Sequence, residues 1–155
     1  MTAIKIYRLA NKLYQLKVPI IPKILYRLIY LLNNTHLHYA TEIGEGTTIA
    51  YGGIGVVIHK KAKIGHNCVI ESNVTIGGRS NLPELPVIGD NVFVGTGARV
   101  LGSIRVGNNV IIGANAVVIH DVPDNSIVAG VPARVLHRNI NINDKCNIKE
   151  LVGRA

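Results

Sequence analysis

The sequence predicts a mainly β chain wound into stacked coils with short faces, preceded by two short helices. Three observations lead there. Stepping by six from Ile58 lands on Ile64, Ile70, Ile76, Leu82, Ile88, Val94, Val100, Val106, Ile112 and Val118, all branched aliphatics. Four places after each landing, Pro86 apart, stands Ala62, Cys68, Val74, Ser80, Val92, Ala98, Ile104, Val110, Ala116 or Val122, each small or β-branched. Aromatic residues make up only 5% of the chain against 48% apolar residues overall, and Trp is absent. A six-residue beat is neither the 3.6 period of a helix nor the alternation of a strand. It fits one aliphatic side chain per face pointing at a narrow axis, with strands about 4.8 Å apart from coil to coil. At 155 residues the chain reads as one domain.

Residues 1–34 read as a helical segment. Ile6, Leu9, Ala10, Leu13 and Leu16 recur at helical spacing, with Lys5, Arg8 and Lys12 between them. Pro19 and Pro22 end this run, and a second helix is expected from Lys23 to Leu32, stopped by Asn33-Asn34. Both helices are expected to pack on the first coils or on a neighbouring subunit, the alternative being a basic amphipathic anchor on the inner membrane leaflet. Neither is long enough to span a bilayer, and no small-residue cleavage site follows a short apolar run.

Residues 35–138 carry the coils. Leu37, Ile43 and Ile49 begin the beat, and glycines directly after the aliphatics (Gly65, Gly77, Gly89, Gly95, Gly107, Gly113) suit tight corners. The phase slips by three between Ile49 and Ile58, across Ala50-Tyr51-Gly52-Gly53-Ile54-Gly55. Extra residues cannot enter the core, so they must bulge outward or shift a corner. A second interruption, the loop 79–87 with Pro83 and Pro86, leaves the stack despite Leu82 sitting in phase. It reads either as a surface excursion or as a lid over an adjoining subunit. The tail, 139–155, has no beat. Cys68 on the small-residue ladder and Cys146 in the tail read as reduced thiols of a cytoplasmic protein.

The net charge of +8 admits nucleic acid, an anionic membrane or a phosphorylated ligand. The basic residues are scattered, and no recognition helix or aromatic-basic motif accompanies them, so nucleic acid is not expected. Among the six histidines, His36 and His38 are expected in a connection, and His120 and His137 on the surface. His59 follows the slip at an exposed corner. His59 and His66 lie on neighbouring faces without a third partner, and no metal is expected.

The hexapeptide beat resembles the left-handed parallel β-helix of the acyltransferases. Gly55-Val56-Val57-Ile58-His59, Val74-Thr75-Ile76-Gly77-Gly78, Val94-Gly95-Thr96-Gly97-Ala98, Ile112-Gly113-Ala114 and Ala129-Gly130-Val131-Pro132-Ala133 are similar, in order and spacing, to segments of the serine acetyltransferase family. That resemblance implies a homotrimer with acetyl-coenzyme A lying between neighbouring β-helices, and direct acetyl transfer to a hydroxyl with histidine as base. It places Gly77, Gly78, Thr96 and Ala114 along the pantetheine arm, and Val131, Pro132, Ala133 and Arg134 near the nucleotide.

On the acceptor side the sequence departs from the family. The family's Asp-His pair is replaced by Ala50-Tyr51, and Arg79 keeps the family's arginine without the histidine after it. The resemblance therefore leaves His59 as candidate base, with Tyr51 and Arg79 toward the acceptor and His66 as substitute. The departure points to a sugar hydroxyl of a surface polysaccharide, with serine and a non-catalytic trimeric scaffold as the alternatives.

Overall fold

An aliphatic side chain every six residues can be buried only if the chain turns after each short strand. In the computed structural model, which describes residues 2–80 and 82–142, it does so around a single axis. The first face is built from His36–Leu37, Val57–Ile58, Thr75–Gly77, Arg99–Leu101 and Val117–Val118. The second holds Glu42–Ile43, Lys63–Ile64, Val87–Ile88 and Arg105–Val106. The third holds Thr48–Ile49, Val69–Ile70, Phe93–Val94, Ile111–Ile112 and Ser126–Gly130. All these strands pair in parallel, with aliphatic over aliphatic: Leu37, Ile58, Ile76, Val100 and Val118 form one ladder of the first face. Every residue of the beat is buried except Leu82, which is 43% exposed.

Leu82 is explained by counting. Ile76 and Ile88 sit on neighbouring faces, where six residues would suffice, yet twelve separate them. Gly78–Pro86 leaves the stack and spends the surplus, so the beat returns in phase and one apparent rung is spurious. The excursion folds onto its own chain. Ser103 Oγ accepts a hydrogen bond from Glu84 N (3.1 Å) and donates one to Glu84 O (3.2 Å).

Three edges separate the faces. The loop edge, from first face to second, carries His59 and the excursion. The tyrosine edge, from third to first, carries Tyr51. The glycine edge, from second to third, stacks Gly44, Gly65, Gly89 and Gly107. A Cβ on Gly65 would lie 2.5 Å from the carbonyl oxygen of Gly89 and 2.6 Å from its carbon. Backbone cannot yield as a side chain end can. Gly65→Ala is therefore expected to cost about 1–3 kcal/mol, as overpacking does. At about 2–4 °C per kcal/mol for a chain of this size, a thermal melt should fall by several degrees.

Helix α1 (Ala3–Gln15) and helix α2 (Ile21–Asn33) close the lower end. The second starts before the expected Lys23, because Pro22 occupies its first turn, where no N–H is required. Asn34 ends it in the left-handed conformation (φ +49°). The helices pack on the first coils, as expected. Ile6, Tyr7 and Ile29 join the core, Tyr7 Oη donates to Thr41 O (2.5 Å), and Arg8 donates to Ile43 O (2.6 Å) and Gly44 O (2.5 Å). Burial pushes the Tyr7 hydroxyl up to about 12. His36 is not in a connection: it belongs to the lowest strand of the first face, because its neighbour Leu37 is the first full rung. Its ring meets Tyr26 edge-on at 5.5 Å.

At the other end Ala133–Arg138 returns antiparallel along Ser126–Gly130 and covers the last strand of the third face. Ile142 then packs on Val69. The rest of the tail, including Cys146, lies outside the described residues. Cys68 is buried and unpaired, and burial raises its thiol to about 11.

Candidate functional site

The slip after Ile49 is taken up as a tight turn, Ala50–Gly53, on the tyrosine edge. Gly53, at φ +96°, comes so close to Thr35 that a Cβ would stand 2.7 Å from its hydroxyl. Thr35 Oγ1 donates to Gly53 O (2.6 Å) and ties the turn down. Tyr51, at φ +51°, is thrown outward and is 72% exposed.

His59 stands on the loop edge, half-buried. Its backbone N–H donates to Ile76 O on the coil above (2.9 Å), which places it directly below Gly77 and the start of the excursion. A Cβ on Gly77 would meet nothing within 4 Å, so the backbone there borders open space. Gly78 and Arg79 follow at the same edge. His59 Nδ1 accepts the N–H of Lys61 (3.2 Å). In this arrangement an uncharged ring carries its proton on Nε2.

His66 lies on the glycine edge. Its Nδ1 is 3.2 Å from Asp90 Oδ1, which also accepts the His66 backbone N–H at 2.7 Å. That backbone bond, ahead of the nearby imidazole, holds the Asp90 carboxyl below its ordinary value, against a smaller upward effect of burial. A carboxylate on Nδ1 leaves Nε2 with a free lone pair. The glycine edge, however, bears none of the other site residues.

Thr96 and Ala114 stack on the tyrosine edge, where Asn115 N donates to Thr96 O (2.8 Å). Exposed Val131 and Pro132 follow at the reversal before Ala133, whose partly buried side chain packs on the core, and Arg134 stands exposed in the returning strand. The residues of interest thus fall on separate edges of one prism. His59, Gly77, Gly78 and Arg79 share the loop edge; Tyr51, Thr96 and Ala114 share the tyrosine edge; His66 stands apart.

One group went unnoticed in the sequence. Glu71 is the only acidic residue on the tyrosine edge among the described residues. Burial pushes its carboxyl above the ordinary range, opposed by a hydrogen bond with Thr96. Its place directly after the inward Ile70 was the available signal. Among the described residues no cluster of three or more His, Cys, Asp or Glu is placed to hold a metal.

The comparisons agree with this architecture. Residues 86–120 match the bacterial transferase hexapeptide (six repeats) family. Serine acetyltransferase of Synechococcus elongatus is 42% identical over 139 residues, covering 88% of this chain and 57% of that protein. Serine acetyltransferase of Bacillus pumilus is 38% identical over 152 residues, covering 96% and 70%. Among solved structures, serine acetyltransferase from Brucella abortus superposes with a TM-score of 0.82 at 34% identity, covering 89% of this chain and 57% of that one. A serine acetyltransferase in complex with CoA superposes at 0.78 and 33% identity, covering 86% and 55%. The chain spans somewhat more than half the length of the first of these relatives.

Proposed function

The chain belongs to the serine acetyltransferase family, built on a left-handed β-helix, and we propose that it transfers acetyl from acetyl-coenzyme A to a hydroxyl, with serine as acceptor. The observation that carries this is the stacking of His59 beneath the open backbone at Gly77, on the edge where the excursion leaves. An extended, amide-bearing arm needs such a floor. A proton acceptor one coil away, about 4.8 Å, meets the thioester end of that arm.

In the reaction, the acceptor oxygen attacks the thioester carbonyl while its proton passes to His59. The tetrahedral intermediate then collapses, the C–S bond breaks, and the coenzyme leaves as a thiol by taking up that proton. Backbone N–H groups near Gly77 and Gly78 are the donors available to the oxyanion. Base action at Nε2 requires the ring to give up its long contact with Lys61 N, so that the ring proton moves to Nδ1.

The division of residues between two edges is the argument for a homotrimer. A second copy laying its tyrosine edge against the loop edge would bring Tyr51, Glu71, Thr96 and Ala114 to His59 and Arg79. With acetyl-coenzyme A as donor, the reaction belongs in the cytoplasm, and a free thiol at Cys68 accords with that compartment.

The acceptor is the open part. Serine has the support of the relatives, whose names carry it. The sugar hydroxyl expected from the sequence has none from them, and rests on the replacement of the family's Asp-His pair by Ala50-Tyr51. Thiol release from acetyl-coenzyme A, followed with a chromogenic disulfide, decides between them. Release that depends on L-serine is expected; release only with free sugars transfers the proposal to a glycan. No release with any acceptor, together with no coenzyme A-induced rise in melting temperature, leaves a scaffold and ends the enzymatic reading.

A further inference from the structure

We infer that the outer face of α2 is a docking surface for an anionic lipid bilayer. The helix has two apolar stripes, not one. Pro22, Leu25 and Ile29 turn toward α1 and the first coil. Ile21, Ile24, Leu28, Leu31 and Leu32 recur at positions i, i+3, i+7, i+10 and i+11, which puts them on one side of a helix. Ile24, Leu31 and Leu32 are 56%, 77% and 67% exposed. Leu16 and Ile20, in the segment leading into α2, are each 65% exposed and extend the same character. Five exposed aliphatics across one short segment are more than scattered surface residues account for.

Charge selects the occupant. Residues 1–41 hold Lys5, Arg8, Lys12, Lys17, Lys23 and Arg27 and not one Asp or Glu. Arg8 is spent on the first coil; the other five are exposed, and Lys23 and Arg27 flank the outer stripe on its open side. A second copy set face to face on α2 would oppose these charges to themselves, which like charges penalise. A negative surface with an apolar interior complements both features at once. Thirteen residues span about 20 Å at 1.5 Å each, too short to cross the hydrocarbon core but suited to lying flat in the interface. No helix of the described residues is long and apolar enough to cross a membrane. The inference does not depend on the acceptor or on catalysis, since it concerns the end of the prism opposite the returning strand.

The test is co-sedimentation of the full chain with vesicles of phosphatidylcholine alone and of equimolar phosphatidylcholine and phosphatidylglycerol, in low and raised salt. The expected result is binding at least about tenfold stronger to the anionic vesicles, weakened by salt, and reduced about tenfold by Ile24→Glu with Leu31→Glu. Both positions are exposed, so the double variant should fold; Lys23→Glu with Arg27→Glu tests the charge separately and should also lower binding. Absence of binding to anionic vesicles, or binding indifferent to both pairs of substitutions, overturns the inference. So does a vesicle-free assembly, trimer included, that Ile24→Glu with Leu31→Glu reduces by sedimentation velocity, because another copy would then own the face.

Discussion

His59→Ala is expected to lower the acetyl-transfer rate by about 10²- to 10⁴-fold, the contribution of a positioned base, while leaving coenzyme A binding intact. The expectation rests on place. His59 is the histidine whose backbone bonds to the strand carrying Gly77, on the edge where the excursion begins. The measurement is kcat for thiol release, set beside the coenzyme A dissociation constant from calorimetry. His66→Ala is the matched control. His66 has the better-directed ring, held by Asp90, but stands on another edge; its removal should change kcat by less than about tenfold. If the two variants exchange behaviour, the orientation given by Asp90 outweighs position, and the base lies on the glycine edge.

The second large effect is on stability. Ile76 is fully buried and pairs with Ile58 below and Val100 above. Ile76→Ala removes buried methyls and leaves a cavity that neighbours in a stacked ladder cannot close, so it should cost about 2–5 kcal/mol. In a chain of this size that is a fall of roughly 5–20 °C in melting temperature, measured by calorimetry at one fixed protein concentration, since association would shift the value. Leu82→Ala makes the comparison sharp. It occupies the next position of the same beat, yet lies in the excursion and should move the melt by less than about 0.5 kcal/mol. A large loss there would mean that the excursion, not the stack alone, holds the edge.

These two leucine and isoleucine positions also mark what the sequence can reveal. Burial of Ile58, Ile76 and Val118 was legible because a prism offers one inward position per face, and the same residue type must recur there. The slip at Ala50–Gly55 was legible as an outward bulge because a core cannot take extra residues. Leu82 was recognisable as a false rung only through Pro83 and Pro86, since its phase was perfect. The edges were harder. Three faces of six residues put residues eighteen apart above one another, so His59 and Gly77, or Thr96 and Ala114, could have been stacked on paper. That arithmetic assigns edges as well as inward positions, and it separates His66 from His59 at once. Glu71 had its periodic place, directly after the inward Ile70, but not its chemistry, which depends on what burial does to a carboxyl. The return of Ala133–Arg138 had no periodic signal, since the chain reverses after the beat has stopped.

Parallel coils have bare rims, and a rim of unpaired amides invites another molecule to continue the winding. This chain blunts two of them. Helix α2 lies across His36–Leu37, and the reversed strand Ala133–Arg138 lines Ser126–Gly130 with exposed Arg134, His137 and Arg138. Neither stop can be extended in register by a like strand. A further coil laid on either of these rims would meet a helix or a reversed strand instead of open parallel amides.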